Sequence, residues 1–293
     1  MPRIILRQRP QTAQYFTEDL DGVDLDMMQI PAGTFVMGSP ETEEDRDDDE
    51  GPQHMVRVSE FCLGRYPITQ AQWRVVAGWE QVEQTLEPEP SNFKGEDLLP
   101  VEQVSWLDAK EFCARLNQRT KGKNYRFPSE AEWEYACRAT TKMPPNPPVG
   151  DGGVIQIWNQ KYHKPFSFGK TLTSEIANYR ANYTYGRGIE GEYRQKTTPV
   201  GSFPANDFGL SDMHGNVGEW CEDDWHGDYK NAPTDGSVWL DETDDEDTPK
   251  VIRGGDWYSN PRYCRSACRI NYSRVFRDFD IGFRVACSFP GIP

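Results

Sequence analysis

The chain has 293 residues and a formal net charge of −15, which argues against a nucleic-acid partner because phosphate neutralisation needs clustered Lys and Arg. No run of about 18 apolar residues is present, so no membrane span is expected. The N-terminal stretch MPRIILRQRPQ lacks the apolar core of a secretory signal, which predicts a cytoplasmic protein. Its seven cysteines include no CxxC pair, which is typical of reduced thiols.

Strands are predicted in the first part of the chain. Residues 1–25 are expected to form an N-terminal arm, and residues 26–293 a single domain. The stretch MMQIPAGTFVMGS, residues 27–39, predicts a strand, a turn and a second strand. Apolar and polar residues alternate over residues 54–69, which favours a half-buried strand.

Helix starts are indicated by capping residues. Thr69 precedes a helix predicted over residues 70–77, and Ser105 precedes WLDAKEFCARLNQRT with its apolar stripe. Ser129 and Glu132 have the spacing of a capping box. After about residue 140 the pattern predicts short strands and loops, with no long helix.

Acidic residues are concentrated in two runs, ETEEDRDDDE over residues 41–50 and DETDDED over residues 241–247. Solvated loops are the favoured interpretation of both runs. The alternative, a divalent cation site, would need a glycine-punctuated loop of calcium-site spacing, which neither run has.

Seven motifs occur in order: IPAGTFVMGS, DEGPQHMVRVSEFCLGRYPITQAQW, PVEQVSWLDAKEFCARLN, YRFPSEAEWEYACRA, TTPVGSFPANDFGLSDMHGNVGEWCEDDW, VIRGGDW and IGFRVAC. Together they resemble the formylglycine-generating enzyme family, or sulfatase-modifying-factor domain, over roughly residues 26–288. The resemblance implies an α+β fold, the formylglycine-generating-enzyme subtype of the C-type lectin fold, with small twisted sheets and much irregular backbone. It also implies that Trp220 is buried.

The catalytic residues of the family are only half present. Its enzymes oxidise a cysteine of a target protein with copper and oxygen, using two cysteines five residues apart. Here those positions hold Ser259 and Cys264. A hydroxyl is a poor Cu(I) ligand, so neither copper nor catalysis is expected; an oxidoreductase, or an inactive member acting in protein modification, is the alternative. The four histidines do not have the spacing of the iron site found in a second enzyme branch.

A structural cation is the remaining cofactor that the resemblance implies. Family enzymes bind calcium through the region matching DMHGNVGE. Carried over, Asp212 and Glu219 would give carboxylate oxygens to Ca²⁺ or Mg²⁺, and Gly215 and Val217 would give main-chain carbonyls. Stabilisation of a turn by the two side chains is the alternative.

The C-terminal region, about residues 253–287, combines a constant frame with replaceable positions. The frame is RGG, W, PR, CRSA, three single arginines and IGFRV. Each replaceable residue can be reached from an asparagine codon by changing adenines only. That process never yields Lys, Glu, Gln, Met or Trp, and none of these occurs after Trp257. The replaceable positions are Asp256, Tyr258, Ser259, Asn260, Tyr263, Cys268, Ile270, Asn271, Tyr272, Ser273, Val275, Phe276, Asp278, Phe279 and Asp280.

This pattern resembles the variable region of target proteins of diversity-generating retroelements, in which adenine-specific mutation rewrites the 3′ end of a gene. The resemblance implies a binding protein with an unknown protein or surface ligand. Tyr, Phe, Asn, Ser and Asp are residue types that suit adaptable recognition. We therefore expect the fifteen positions to face solvent, with Trp257 and Phe283 in the core. Five aromatic residues should form one exposed patch: Tyr258, Tyr263, Tyr272, Phe276 and Phe279. An ordinary family member with an unusual C-terminal loop is the alternative.

Overall fold

The computed structural model describes residues 12–120, 122–140, 152–241 and 248–288. It has an α+β architecture with ten short strands, numbered in chain order, in three sheets. The first sheet has the order β1-β2-β5-β10, with β1 Tyr15–Leu20, β2 Val23–Ile30, β5 Phe61–Gly64 and β10 Ala286–Cys287. The second pairs β3 Gly33–Met37 with β4 His54–Val58. The third has the order β8-β7-β6-β9, with β6 Gly218–Asp224, β7 Pro249–Arg253, β8 Arg269–Ser273 and β9 Ile281–Gly282.

The first hairpin changes the predicted domain boundary. Leu20 pairs with Val23 across the two-residue loop Asp21-Gly22, and both loop residues have positive φ, 51° and 96°. An Asp-Gly loop of this kind suits the right-handed twist of a tight hairpin. Residues 15–25, expected to be part of an arm, therefore belong to the first sheet.

Of the four α-helices in the described ranges, three begin where the capping residues predicted. Helices α1 Gln70–Ala77, α2 Trp106–Arg119 and α3 Glu130–Arg138 follow Thr69, Ser105 and Ser129, and each has a complete capping box. Helix α4, Gly152–Lys161, was not predicted, because it begins with two glycines, which disfavour helix, and has only a weak apolar stripe. The predicted strand over residues 54–69 is two strands, β4 and β5, in different sheets.

Two large apolar clusters form the core. Helix α3 packs Trp133 and Ala136 into the first cluster, against β3, β4, β6 and β7. Helices α1 and α2 pack Trp73 and Phe112 into the second, which also holds Trp220. As expected, Trp220 is fully buried. Among the described residues, no helix is long and apolar enough to cross a membrane.

The C-terminal region is part of the framework of the domain. It forms β8 at the edge of the third sheet, β9 parallel to β6, and β10 paired with β5 in the first sheet. Its loops lie between these strands, so strand pairing on both sides fixes the ends of each loop.

Candidate binding surface

Four arginines of the C-terminal region are buried and hold its loops in place. Arg265 donates to Glu50 at 2.6 and 2.8 Å and to Glu43 at 2.7 Å. Arg284 donates to both carboxylate oxygens of Glu219, each at 2.6 Å. Such paired, charge-assisted hydrogen bonds are the strong ones in proteins. All four guanidiniums belong to residues at most 3% exposed: Arg253, Arg265, Arg269 and Arg284.

The other two buried arginines bind α3 and the turn before β8. Arg269 donates to Glu130 at 2.6 and 3.0 Å. Arg253 pairs with Glu134. Its guanidinium also donates at 2.8–2.9 Å to three consecutive carbonyls, those of Ser266, Ala267 and Cys268. Because the Arg253 side chain donates hydrogen bonds to these carbonyls, the turn stays ordered without regular secondary structure.

The first acidic run supplies partners to these arginines. Glu43 and Glu50 are buried, with exposed fractions of 9% and 0%, and both bind Arg265. Asp47 accepts two hydrogen bonds from Arg262, at 2.8 and 2.9 Å. The prediction of a solvated loop is therefore wrong for Glu43 and Glu50. Most of the second run, residues 242–247, lies outside the described residues.

The replaceable positions differ in exposure. Tyr258 and Val275 are more than half exposed, and Tyr263 and Tyr272 are also exposed. Nine positions are partly exposed: Ser259, Asn260, Ile270, Asn271, Ser273, Phe276, Asp278, Phe279 and Asp280.

Two positions depart from the expectation that all fifteen face solvent. Asp256 is 7% and Cys268 is 3% exposed. Asp256 is buried because it closes a turn, where its carboxylate accepts from the Tyr258 N–H at 2.7 Å and from the Ser259 hydroxyl at 2.6 Å. Cys268 lies in the turn whose carbonyls bind Arg253. Neither side chain is displayed as the others are.

Trp257 is the centre of one aromatic group. Its ring centroid lies 5.5 Å from that of Tyr258 and 5.4 Å from that of Phe279. Phe93, at 5.4 Å, and Tyr193, stacked at 6.3 Å, complete the group. The buried Trp257 thus forms a floor for two replaceable aromatic residues, and we call this set the Trp257 group.

A second aromatic pair lies on β8 and the loop after it. The rings of Tyr272 and Phe276 stack with centroids 4.4 Å apart. Phe276 also packs against the second core cluster, together with Ile270. Tyr263 is separate, and among the described residues its ring interacts with Arg262, at 4.9 Å. Ring contacts among the described residues therefore link Tyr258 with Phe279 through Trp257, and Tyr272 with Phe276, while Tyr263 has none. The single exposed patch stays a prediction, because ring contacts do not measure whether the exposed surfaces join.

Sequence reasoning missed the part of this surface that comes from outside the C-terminal region. The guanidinium of Arg180 lies over the rings of Tyr183, Tyr193 and Tyr258, at 4.8, 5.7 and 5.5 Å. The Arg180 N–H donates to the Ser259 carbonyl at 3.0 Å. None of the seven family motifs includes these residues, and the long loop that carries them meets the C-terminal region only in the folded chain.

Carboxylates surround the Trp257 group. Burial raises the pKa of Asp256 to about 6. Burial, and then the charges of Asp256 and Asp278, raise the pKa of Asp280 to about 7. Burial also raises the pKa of Glu102 to about 7, although the N–H groups of Asn92 and Phe93 donate to it. The charges of Glu102, Asp256, Asp278 and Asp280 therefore act on one another near the Trp257 group.

The loop between β8 and β9 is fixed to the start of α2. Arg277 donates to both oxygens of Asp108, at 2.7 and 2.9 Å, and Asp108 itself belongs to the α2 capping box. The Gln103 N–H donates to the Asp278 carbonyl at 2.9 Å. Arg277 is half exposed, so this constant arginine acts at the surface, unlike the four buried ones.

The positions of the family's catalytic cysteines do not fit a copper centre. Ser259 directs its hydroxyl to Asp256. Cys264 is fully buried, and burial raises the pKa of its thiol well above the ordinary value. Since Cu(I) binds thiolates, a serine and a protonated thiol are an unsuitable ligand pair.

The residues proposed for a structural cation fit it only in part. Both oxygens of Glu219 are bound by Arg284, and one also accepts from the Trp133 indole at 2.7 Å. Asp212 is different, because its Oδ1 is buried without a hydrogen-bond partner, while Oδ2 accepts from the Gly201 N–H at 2.8 Å. Burial raises the pKa of Asp212 to about 6. A free, buried acceptor of this kind suits a cation ligand.

One other group of potential metal ligands occurs among the described residues. Ligand atoms of Asp47, Glu50 and Cys268 lie within 4.8 Å of one another. Both carboxylates already bind arginines, Arg262 and Arg265. The positive charge a metal would bring is thus supplied by guanidinium groups.

Comparison with known proteins places this architecture in a family. Residues 16–289 match the sulfatase-modifying factor enzyme 1-like domain. Chaperone protein LppX of Paenibacillus barcinonensis is 30% identical over 242 residues, covering 70% of this chain and 72% of its own. Formylglycine-generating enzyme of Thermomonospora curvata is 27% identical, covering 81% and 84%. Inactive C-alpha-formylglycine-generating enzyme 2 of Bos taurus is 27% identical, covering 76% and 79%.

Solved structures agree with this assignment. PvdO from Pseudomonas aeruginosa superposes with a TM-score of 0.71 at 33% identity, covering 96% of this chain and 100% of that one. Treponema denticola variable protein 1 has a TM-score of 0.67 at 23% identity, covering 94% and 100%, a likeness of fold alone. The fold is the formylglycine-generating-enzyme subtype of the C-type lectin fold, and the chain belongs to the sulfatase-modifying-factor family.

Proposed function

We propose that this chain is a non-enzymatic binding protein whose C-terminal surface is diversified by adenine-specific mutagenesis. The observation that carries the proposal is the division of the C-terminal region into two classes. Four constant arginines are buried in ion pairs, whereas thirteen of the fifteen replaceable positions are partly or fully exposed. A scaffold that keeps its charge pairs and varies its surface can change ligand without losing its fold.

The chemistry of the exposed residues supports recognition. Tyr258 and Tyr272 offer large, rigid rings, and Asn271, Ser273 and Asp280 offer hydrogen-bonding groups beside them. This is the combination on which antibody binding sites depend. The fold is also that of a protein named a variable protein, but the proposal rests on the residue division and the codon pattern.

The gene tests the mutagenesis directly. We expect a near-identical repeat of the sequence encoding residues 253–287, with adenines at the replaceable codons, near a reverse transcriptase gene. Sequencing of sister isolates should show changes at those codons and none at the codons of the buried arginines. A locus with neither repeat nor reverse transcriptase would contradict the proposal.

A formylglycine-type oxidoreductase is the second candidate, favoured by Cys264 at one catalytic position and by enzymes among the relatives. We expect no tight Cu(I) binding in a competition titration with a chromogenic chelator, because Ser259 replaces the first thiolate. Tight binding that the Cys264→Ala variant loses would instead support the enzyme.

The structural cation remains a proposal that rests on Asp212. If Ca²⁺ or Mg²⁺ binds its free oxygen, with the main-chain carbonyls of Gly215 and Val217, EDTA should lower the melting temperature and added Ca²⁺ should restore it. The Asp212→Asn variant should lose this response to EDTA. Identical melting of the native chain with EDTA and with Ca²⁺ would contradict a structural ion.

A further inference from the structure

The carboxylates near the Trp257 group differ from the other buried acids of the C-terminal framework. Glu50, Glu130 and Glu219 each bind a buried arginine. Within the described ranges, by contrast, Asp256 and Asp280 form no ion pair with any Lys, Arg or His. In the described part of the chain, these three framework acids are thus paired with arginines, whereas Asp256 and Asp280 have no cationic partner.

These acids lie among exposed aromatic residues. Two aspartates accept hydrogen bonds from backbone groups of the Trp257 group. The Tyr258 N–H donates to Asp256 at 2.7 Å, and the Phe279 N–H donates to Asp278 at 2.8 Å. Burial, and after it the charges of Asp280, Asp278 and Asp256, raise the pKa of the Tyr272 phenol. Phe276, which stacks on Tyr272, lies in the same loop between β8 and β9 as Asp278, Phe279 and Asp280, so this loop brings the second aromatic pair close to the same carboxylates.

The exposure of this face marks it as an interaction surface. Tyr258 is 51%, Tyr272 is 42% and Val275 is 57% exposed, and these are among the most exposed large apolar residues of the described chain. An exposed apolar face with polar groups around it is typical of a binding site. The negative charge of the nearby carboxylates favours a positively charged partner, because complementary potentials favour binding.

A basic side chain matches both features. Aromatic faces attract cations, and carboxylates give a guanidinium or ammonium group its strongest hydrogen bonds. Arg180 shows the first interaction within the chain itself, since its guanidinium lies over three tyrosine rings. A metal ion fits less well, because the metal-ligand geometry found among the described residues is elsewhere, at Asp47, Glu50 and Cys268.

Resting on the proposed binding function, we propose that the partner of this variant is a protein that inserts a Lys or Arg side chain between the Trp257 group and Tyr272, onto Asp278 and Asp280. The buried Asp256 adds to the negative potential at Asp280. Because all three aspartates are replaceable positions, the preference for a basic partner belongs to this variant and not to the family.

The test is peptide binding to the full chain, followed by fluorescence anisotropy at pH 8, which lies above the raised pKa values of Asp256, about 6, and Asp280, about 7, so that both are ionised. Three labelled decapeptides that alternate glycine with lysine, glutamate or tyrosine serve as probes. We expect the lysine peptide to bind most tightly. The double variant Asp278→Asn, Asp280→Asn should weaken its binding at least about tenfold, which corresponds to about 1.4 kcal/mol. Tyr258→Ser should also weaken it, and higher salt should reduce binding.

A matched control removes the same charge elsewhere. The double variant Glu41→Gln, Asp48→Asn neutralises two exposed acids of the first acidic run. It should leave the Kd of the lysine peptide within about twofold of the native value, a difference of about 0.4 kcal/mol. Equal weakening by both double variants would mean that only the overall charge attracts the peptide, and would overturn the inference.

The remaining outcomes separate this inference from the proposed function. Preference for the tyrosine or glutamate peptide, lost in Tyr258→Ser, would leave a binding surface in place and show that its partner is not basic. If binding of none of the three peptides depends on Tyr258, Asp278 or Asp280, the inference of a basic partner is overturned, and the proposed function is then decided by the test at the gene locus. All variants should first show native circular dichroism, so that lost binding is not lost folding.

Discussion

Replacing Arg265 by alanine is expected to lower the free energy of unfolding by about 3–5 kcal/mol, because the change leaves buried carboxylates without their counter-charge. Arg265 and Glu50 are fully buried, and Glu43 is nearly so. The Arg265 side chain also donates to the Asp45 carbonyl at 2.8 Å. Loss of the guanidinium therefore releases the first acidic run from the C-terminal region. Urea unfolding followed by tryptophan fluorescence measures the difference.

A neighbouring arginine gives the matched control. Arg262 binds Asp47 in the same acidic run, but their side chains are 34% and 44% exposed. Exposed pairs contribute only about 0–1 kcal/mol, so Arg262→Ala should change the unfolding free energy by less than about 1 kcal/mol. Equal losses in the two variants would mean that burial does not distinguish these pairs, and the division between framework and surface would fail.

Local signals predicted the elements they govern. Thr69, Ser105 and Ser129 cap helices at the expected residues, because a capping box is a contact between neighbours in sequence. The order of family motifs likewise predicted the fold, which the matching family and the solved structures confirm.

Partners distant in the chain could not be predicted in the same way. Glu43 and Glu50 looked like members of a solvated acidic loop, since a run of like charges is usually exposed to solvent. Their partner, Arg265, comes more than 200 residues later. The pairing follows from the packing of the loop against the turn before β8, which only the folded chain shows.

The candidate surface was predicted in part for the same reason. The residue types of the C-terminal region predicted which positions are replaceable, and most of these positions are exposed. They carried no information about depth, so Asp256 and Cys268 were included although they are buried. They also could not indicate Phe93, Arg180 or Tyr193, which approach Trp257 and Tyr258 from separate loops.

The replaceable aromatic residues differ in exposure, and this difference limits which variants can test whether they lie on the surface. Phe276 packs on the second core cluster, and Phe279 packs on Trp257. Replacing Tyr272, Phe276 and Phe279 together by serine would therefore remove some buried contacts along with exposed ones. Trp257 is also unsuitable as a pure core position, because it supports the aromatic surface. Phe283 and Tyr272 separate the two roles more cleanly.

Phe283→Ala is expected to cost about 3–5 kcal/mol of unfolding free energy, as deletion of a buried ring does. Phe283 is fully buried in the second core cluster. Its ring lies 5.3 Å from that of Phe112, and 6.1 Å from those of Trp73 and Phe127. The loss removes contacts that join α1, α2 and the constant IGFRV segment. Urea unfolding of the two single variants, Phe283→Ala and Tyr272→Ser, gives the comparison.

Tyr272→Ser should change the unfolding free energy by no more than about 0.5–1 kcal/mol, because its ring is 42% exposed and its main contact is the stack on Phe276. It should reduce lysine-peptide binding, whereas Phe283→Ala, measured below its melting temperature, should bind as the native chain does. A Tyr272→Ser variant as unstable as Phe283→Ala would place Tyr272 in the core and contradict its display on the surface. Because Tyr272 is one of the positions proposed to vary and Phe283 belongs to the constant frame, this pair of variants measures how far binding and folding are separated in the C-terminal region.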